Sequence, residues 1–205
     1  MNEEELKILL ITYYWPPAGG PAVQRWLHMV EELSLYGSIY VYHPQNAEYP
    51  IVDKNLKIQP KKVDNVHLIS GPILEFYSFF QAFFPKLKTF RKGQLPSNRE
   101  RKTSLLSKLL LQIRANFFVP DPKILWRKSS VKILKKLIQE NQINTLITTG
   151  PPHSMHLIGL ELKKIFPTLN LVTDFRDPWV EISYHKHLPL SKKATEKSFA
   201  RKKSA

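Results

Sequence analysis

The chain has 205 residues, enough for one large or two small domains with a real hydrophobic core. It contains no cysteine, which excludes disulfides and thiolate metal sites and fits a reducing compartment, and no apolar run reaches the roughly 18 residues of a membrane span. Its 31 Lys+Arg against 17 Asp+Glu give a formal charge of +14, which points to an anionic partner such as lipid head groups, nucleic acid or phosphorylated sugars, although a solvated basic surface accounts for the same number. The excess is uneven: Lys86 to Lys136 holds 15 basic residues against Glu100 and Asp121, and Lys186 to Ala205 holds seven against Glu196. The opening "MNEEELK" is polar and acidic, unlike a secretory signal.

In chain order, "LKILLIT" (Leu6 to Thr12) is a short continuous apolar run, the pattern of a parallel strand covered on both faces. The loop "YYWPPAGGPAV" follows. The next segment places Val23, Trp26, Leu27, Val30 and Leu33 on one helical face, with Gly37 expected as its C-cap. "SIYVYHP" reads as a second strand stopped by Pro44, and Val66 to Ser70 as a third ended by Gly71-Pro72.

A different segment comes next. Ile73 to Phe84 is rich in aromatics, a basic turn-rich stretch follows, and "SLLSKLLLQIRANFF" (Ser104 to Phe118) reads as a helix. Lys123 to Glu140 is a second basic amphipathic helix, with Ile124, Trp126 or Arg127, Val131, Leu134 and Ile138 spaced in threes and fours. Alternation then returns: a strand "INTLITTG", a helix from Ser154 to Phe166, and a strand "LNLVTDF" ending at "RDPW". This pattern predicts an α/β, Rossmann-like fold: a mostly parallel sheet with helices on both faces and a helical basic insertion at about 73–126.

In such a sheet ligands bind beyond the carboxyl ends of the strands. Three unusual stretches fall there: "YYWPPAGGPAVQR", "TTGPPHSMH" and "DFRDPW". Gly19 and Gly20 precede a helix N-terminus, where backbone amides favour an anion, and Pro21 fits the first helical turn. No G-x-G-x-x-G or Walker lysine is present, so a simple turn stays open as the alternative. Asp174, Arg176 and Asp177 offer two carboxylates and a phosphate-matching guanidinium, or else a structural ion pair. Ser154 is placed to cap the following helix. His153 and His156 are candidates for substrate contact, against the commoner structural histidine. With Asp174 and Asp177 they match no standard metal-ligand spacing.

"YYWPPAGGPAVQRW…L…YG" resembles the opening of family 4 (group 1) glycosyltransferases of the GT-B fold. "TTGPPHSMHLIGLELKK" and "LVTDFRDPW" extend the likeness to a subgroup tied to bacterial surface-polysaccharide synthesis, and together the matching parts cover roughly half of the chain. The resemblance implies transfer of a sugar from a nucleotide-sugar to a glycan or lipid-linked acceptor, with no metal and no cofactor beyond the donor. It places Gly19, Gly20 and Arg25 at the donor phosphates and Asp174, Arg176 and Asp177 at the reacting centre, where many members instead carry a histidine. His153, Ser154 and His156 fall on the acceptor side.

The resemblance also implies domain organisation. Residues 1–185 correspond to the N-terminal, acceptor-side domain, and 186–205 to the start of a linker or a truncated helix. A C-terminal donor-binding domain is absent from these residues, so the isolated chain is expected to be inactive. The expected location is cytoplasmic, at the inner face of the cell membrane. There Phe76, Tyr77, Phe79, Phe80, Phe83 and Phe84 beside Lys86, Lys88, Arg91 and Lys92 suit anionic lipid, or else pack under the sheet. The rival is a basic, non-enzymatic module for anionic membrane or nucleic acid; no nucleic-acid motif is visible, which disfavours the latter partner.

Overall fold

The computed structural model describes residues 5–59, 61–73, 119–178 and 191–204. The aromatic stretch from 74, the helix expected at 104–118, and hence most of the expected insertion, lie outside the described residues.

Five strands form one sheet: β1 (Leu6–Ile11), β2 (Gly37–Pro44), β3 (Val66–Gly71), β4 (Thr145–Gly150) and β5 (Asn170–Phe175). All neighbours pair in parallel, in the order β3-β2-β1-β4-β5. The central strand β1 buries Ile8, Leu9, Leu10 and Ile11 in succession, as a strand covered on both faces must. The α/β, Rossmann-like expectation therefore holds.

Helix α1 (Pro21–Leu33) buries Val23, Trp26, Leu27 and Val30, the stripe that its spacing predicts. Helices α2 (Trp126–Asn141) and α3 (Ser154–Ile165) pack together, with Arg127 Nε 3.4 Å from a carboxylate oxygen of Glu161. A fourth helix, α4 (Lys192–Ser204), buries Ala194 and Ser198, and its Arg201 donates to the carbonyl of Val119.

Strand parity assigns the faces. Trp26 of α1 reaches Thr149 and Asp174, whereas His156 of α3 reaches Thr148. Adjacent strand residues point to opposite sides, so α1 lies on one face and α3 on the other. Tyr42 shares a lateral row with Ile11 and Thr148, stacks on Trp126 at 4.9 Å and donates to Ser130 Oγ, which puts α2 on the α3 side.

Two local expectations are corrected. Gly37 does not cap α1: the C-cap is Ser34, and Gly37 is the first residue of β2, opposite Leu6. A Cβ there would stand 1.9 Å from the Leu6 carbonyl oxygen, so strand approach is what requires glycine. Ser154 is the first residue of α3 rather than its N-cap; a side chain from outside the helix takes the capping role.

Candidate functional site

The order of strands reverses between β1 and β4, and the loops that follow β1, β4 and β5 meet at that carboxyl edge. The loop after β1 is tightly held. Tyr13 and Trp15 are buried in the core, and the Tyr49 hydroxyl donates to the carbonyl of Tyr13. Residues 51–53 run antiparallel alongside: Ala18 bridges Val52, the Asp53 amide donates to Pro17 at 2.9 Å, and the Gly19 amide donates to Ile51 at 3.0 Å. The Gly19 N–H is thus spent inside the fold.

Gly20 differs. It is the N-cap of α1 with φ 104° and ψ 171°, a backbone conformation open essentially to glycine alone. Its carbonyl accepts from Val23 and Gln24, and a Cβ placed on it would meet nothing within 4 Å. Among the described residues its amide has no backbone partner, and Pro21 follows at the first helical position. This is the bare helix N-terminus that the Gly-Gly pair predicts.

One turn into α1, Arg25 grips Asp174 with Nη1 and Nη2, at 3.1 Å in each of three contacts. Asp174 Oδ2 also accepts from Trp26 Nε1 at 3.1 Å and from Thr149 Oγ1 at 2.9 Å. Thr149 and Asp174 are register partners on neighbouring strands, so sheet geometry itself sets them side by side. Thr149 Oγ1 in turn accepts from Trp26 Nε1 at 2.9 Å and from Arg176 Nε at 3.2 Å. Arg176 reaches on to the carbonyl of Pro151 at 2.8 Å, and its amide donates to Gly150.

Burial lowers the Arg176 pKa from its usual value, while the nearby Asp174 and Asp177 oppose that shift. Asp177 itself is exposed. Asp174 thus binds Arg25 directly and is linked to Arg176 through the Thr149 hydroxyl.

The histidines of the second loop lie under the site. His156 is 0% exposed, with Nδ1 2.9 Å from Thr148 Oγ1 and its ring 4.2 Å from that of Phe175. Burial, followed by the neighbouring His153, lowers its pKa to about 3, so the ring is neutral at physiological pH. His153 is also buried.

Ser154 is fully buried. Its amide donates to Asp121 Oδ2 at 2.9 Å and its hydroxyl to Oδ1 at 2.8 Å. Asp121 also accepts from the Lys123 amide at 2.9 Å. Burial raises the Asp121 pKa, and these hydrogen bonds oppose the rise.

Of the nine candidate residues, the structure gathers Gly20, Arg25, Asp174, Arg176 and Asp177 at the strand ends. It engages Gly19 in the loop and sets His153, Ser154 and His156 beneath. Three participants were missed. Trp26 was counted only as core, though an indole N–H near a strand end needs a partner. Thr149 is visible in "TTG", a polar pair ending an apolar strand, and Asp121 in "PDP", an acid between prolines within a basic stretch. The chain matches no protein-family model, and comparison with curated proteins returns no match.

Proposed function

We propose that the chain is the N-terminal, acceptor-side domain of a GT-B glycosyltransferase that moves a sugar from a nucleotide-sugar to a surface-polysaccharide or lipid-linked acceptor. The observation that carries the reading is the meeting of three loops at the reversal of strand order, with Gly20 open at the α1 N-terminus beside the Arg25–Asp174–Arg176 network. In this reading the Gly20 amide and the two arginines meet donor phosphate, and their charge stabilises the leaving nucleotide. Asp177, exposed at the end of β5, is the carboxylate available to an acceptor hydroxyl. His153, Ser154 and His156 support the loop from below.

The test is a transfer assay of the natural full-length protein against a panel of nucleotide-sugars with lipid-phosphate acceptors. Sugar transfer that falls in Asp177→Asn through kcat supports the reading; no transfer across the panel sinks it.

A membrane contact is favoured by a separate observation. Lys128, Lys132, Lys135 and Lys136 are exposed on α2, and Lys193, Lys197, Lys202 and Lys203 on α4, beside a half-exposed Phe199. Charge opposition between Arg201 and Arg127 places the end of α4 near the start of α2. We propose that this basic surface meets anionic lipid at the inner face of the cell membrane. No described helix is long and apolar enough to cross a membrane. Sedimentation with anionic but not neutral vesicles, and weak binding to DNA at the same salt, is the expected result; the reverse preference restores the nucleic-acid reading.

A further inference from the structure

The loop that joins β4 to α3 is held at both ends by groups outside it. At its start the Gly150 carbonyl accepts from the Arg176 amide at 3.1 Å, and the Pro151 carbonyl accepts from Arg176 Nη2 at 2.8 Å. Pro151 and Pro152 carry no N–H with which to tie the loop down. At its end stands Ser154, whose amide and hydroxyl both donate to the Asp121 carboxylate, at 2.9 and 2.8 Å.

This carboxylate comes from a distant part of the chain. A serine or aspartate at the N-cap would serve the start of α3 locally, yet that position is His153, which makes no side-chain cap bond. Asp121 also accepts from the Lys123 amide at 2.9 Å, in the turn Pro122–Leu125 that leads into α2. Two residues earlier, the Val119 carbonyl accepts from Arg201 of α4. One side chain therefore joins the starts of α2 and α3, and α4 holds the segment that carries it.

We propose that Asp121 is a positioning residue for Arg176. By clamping Ser154 to the segment before α2, it fixes the Pro-Pro loop, and with it the two carbonyls that hold the Arg176 main chain and guanidinium. A carboxylate suits this task because it accepts from all three donors at once and complements the partial positive charge of the α3 N-terminus. An amide in its place would set an NH2 group against a backbone N–H. The reaction in which Arg176 takes part rests on the glycosyltransfer reading; the clamp rests on these hydrogen bonds alone.

Hydrogen exchange of the purified protein, followed by NMR, tests the clamp. In Asp121→Asn the Arg176 amide is expected to exchange at least about tenfold faster, the consequence of a loosened hydrogen bond to Gly150. Amides of the central strand β1 should keep their rates. Ser154→Ala removes the hydroxyl bond but leaves the amide bond, and is expected to speed the same amide by a smaller factor. Should Asp121→Asn fail to fold, Ser154→Ala carries the test. An unchanged Arg176 amide in the folded variants overturns the proposal. Equal acceleration in β1 does so as well, because Asp121 would then act on global stability.

A double-mutant cycle in sugar transfer by the natural full-length protein joins the clamp to the chemistry. Asp121→Asn is expected to lower kcat/KM about tenfold, but to lower it little further in an Arg176→Gln background, since the clamp acts through Arg176. Additive losses overturn the proposal. Local exchange as expected, in a protein that transfers no sugar, overturns the glycosyltransfer reading and leaves the clamp standing.

Discussion

Trp26 and Asp174, far apart in the chain, are joined by a 3.1 Å hydrogen bond from the indole Nε1 to Oδ2, and the same N–H lies 2.9 Å from Thr149 Oγ1. The indole ring is buried in the core while its single donor sits at the strand ends. One side chain thus links the packing of α1 to the placement of the carboxylate that holds Arg25 and of the Thr149 hydroxyl that holds Arg176.

Trp26→Phe separates these roles, since the ring packing largely survives and the donor is lost. Leaving buried acceptors short of a partner is expected to cost about 1–3 kcal/mol, read from urea unfolding. An unchanged midpoint would mean that the indole contributes packing alone.

Gly20→Ala should destabilise the chain by about 1–3 kcal/mol through backbone strain, because φ 104° disfavours an L residue while the space around the Cβ is empty. D-alanine introduced at the same position by chemical ligation is relaxed at this φ and should restore the thermal midpoint. Failure of the D residue to rescue would shift the cause from strain to a lost contact.

His156 makes stability depend on pH. Its folded pKa of about 3 lies below the ordinary value of 6.5, so the unfolded chain binds the extra proton between those values. Its contribution is complete above pH 6.5 and declines as pH falls toward 3, by up to about 1.4 kcal/mol per pH unit. Asp121, with a raised pKa, acts in the opposite sense: its contribution is present below the ordinary value of 3.8 and lost as pH rises through the folded pKa. Comparing the pH profile of unfolding with that of His156→Gln isolates the histidine, and parallel profiles would contradict its buried, neutral state.

Gly37→Ala is expected to cost about 3 kcal/mol or more, because the new methyl would meet the backbone carbonyl of Leu6 at 1.9 Å and cannot rotate away. A variant as stable as the parent would mean that β1 and β2 part enough at Leu6 to admit the methyl group. Thermal unfolding read by circular dichroism decides it.

Much of the architecture was legible because periodicity records burial directly. The apolar run at Leu6–Ile11 marks a doubly covered strand, and Val23, Trp26, Leu27 and Val30 mark the buried face of α1. The strand–helix alternation then leaves a parallel sheet as the arrangement that buries all these faces, and that sheet sends the three loops to one edge.

What tertiary structure decided is which polar group meets which. Asp174 was legible as a carboxylate at a strand end, but its capture by Arg25, Trp26 and Thr149 depends on α1 crossing β4 and β5 at one particular height. Gly19 and Gly20 are adjacent and chemically identical, yet the Gly19 amide is spent on the Ile51 carbonyl while Gly20 starts α1, its own carbonyl accepting from Val23 and Gln24. Asp121 serves the helix that begins at Ser154, across a gap that no local pattern spans. Burial leaves a repeating mark along the chain because every turn or pleat must satisfy it. A hydrogen bond between distant residues needs only one donor and one acceptor, so its identity emerges when the fold brings the two together.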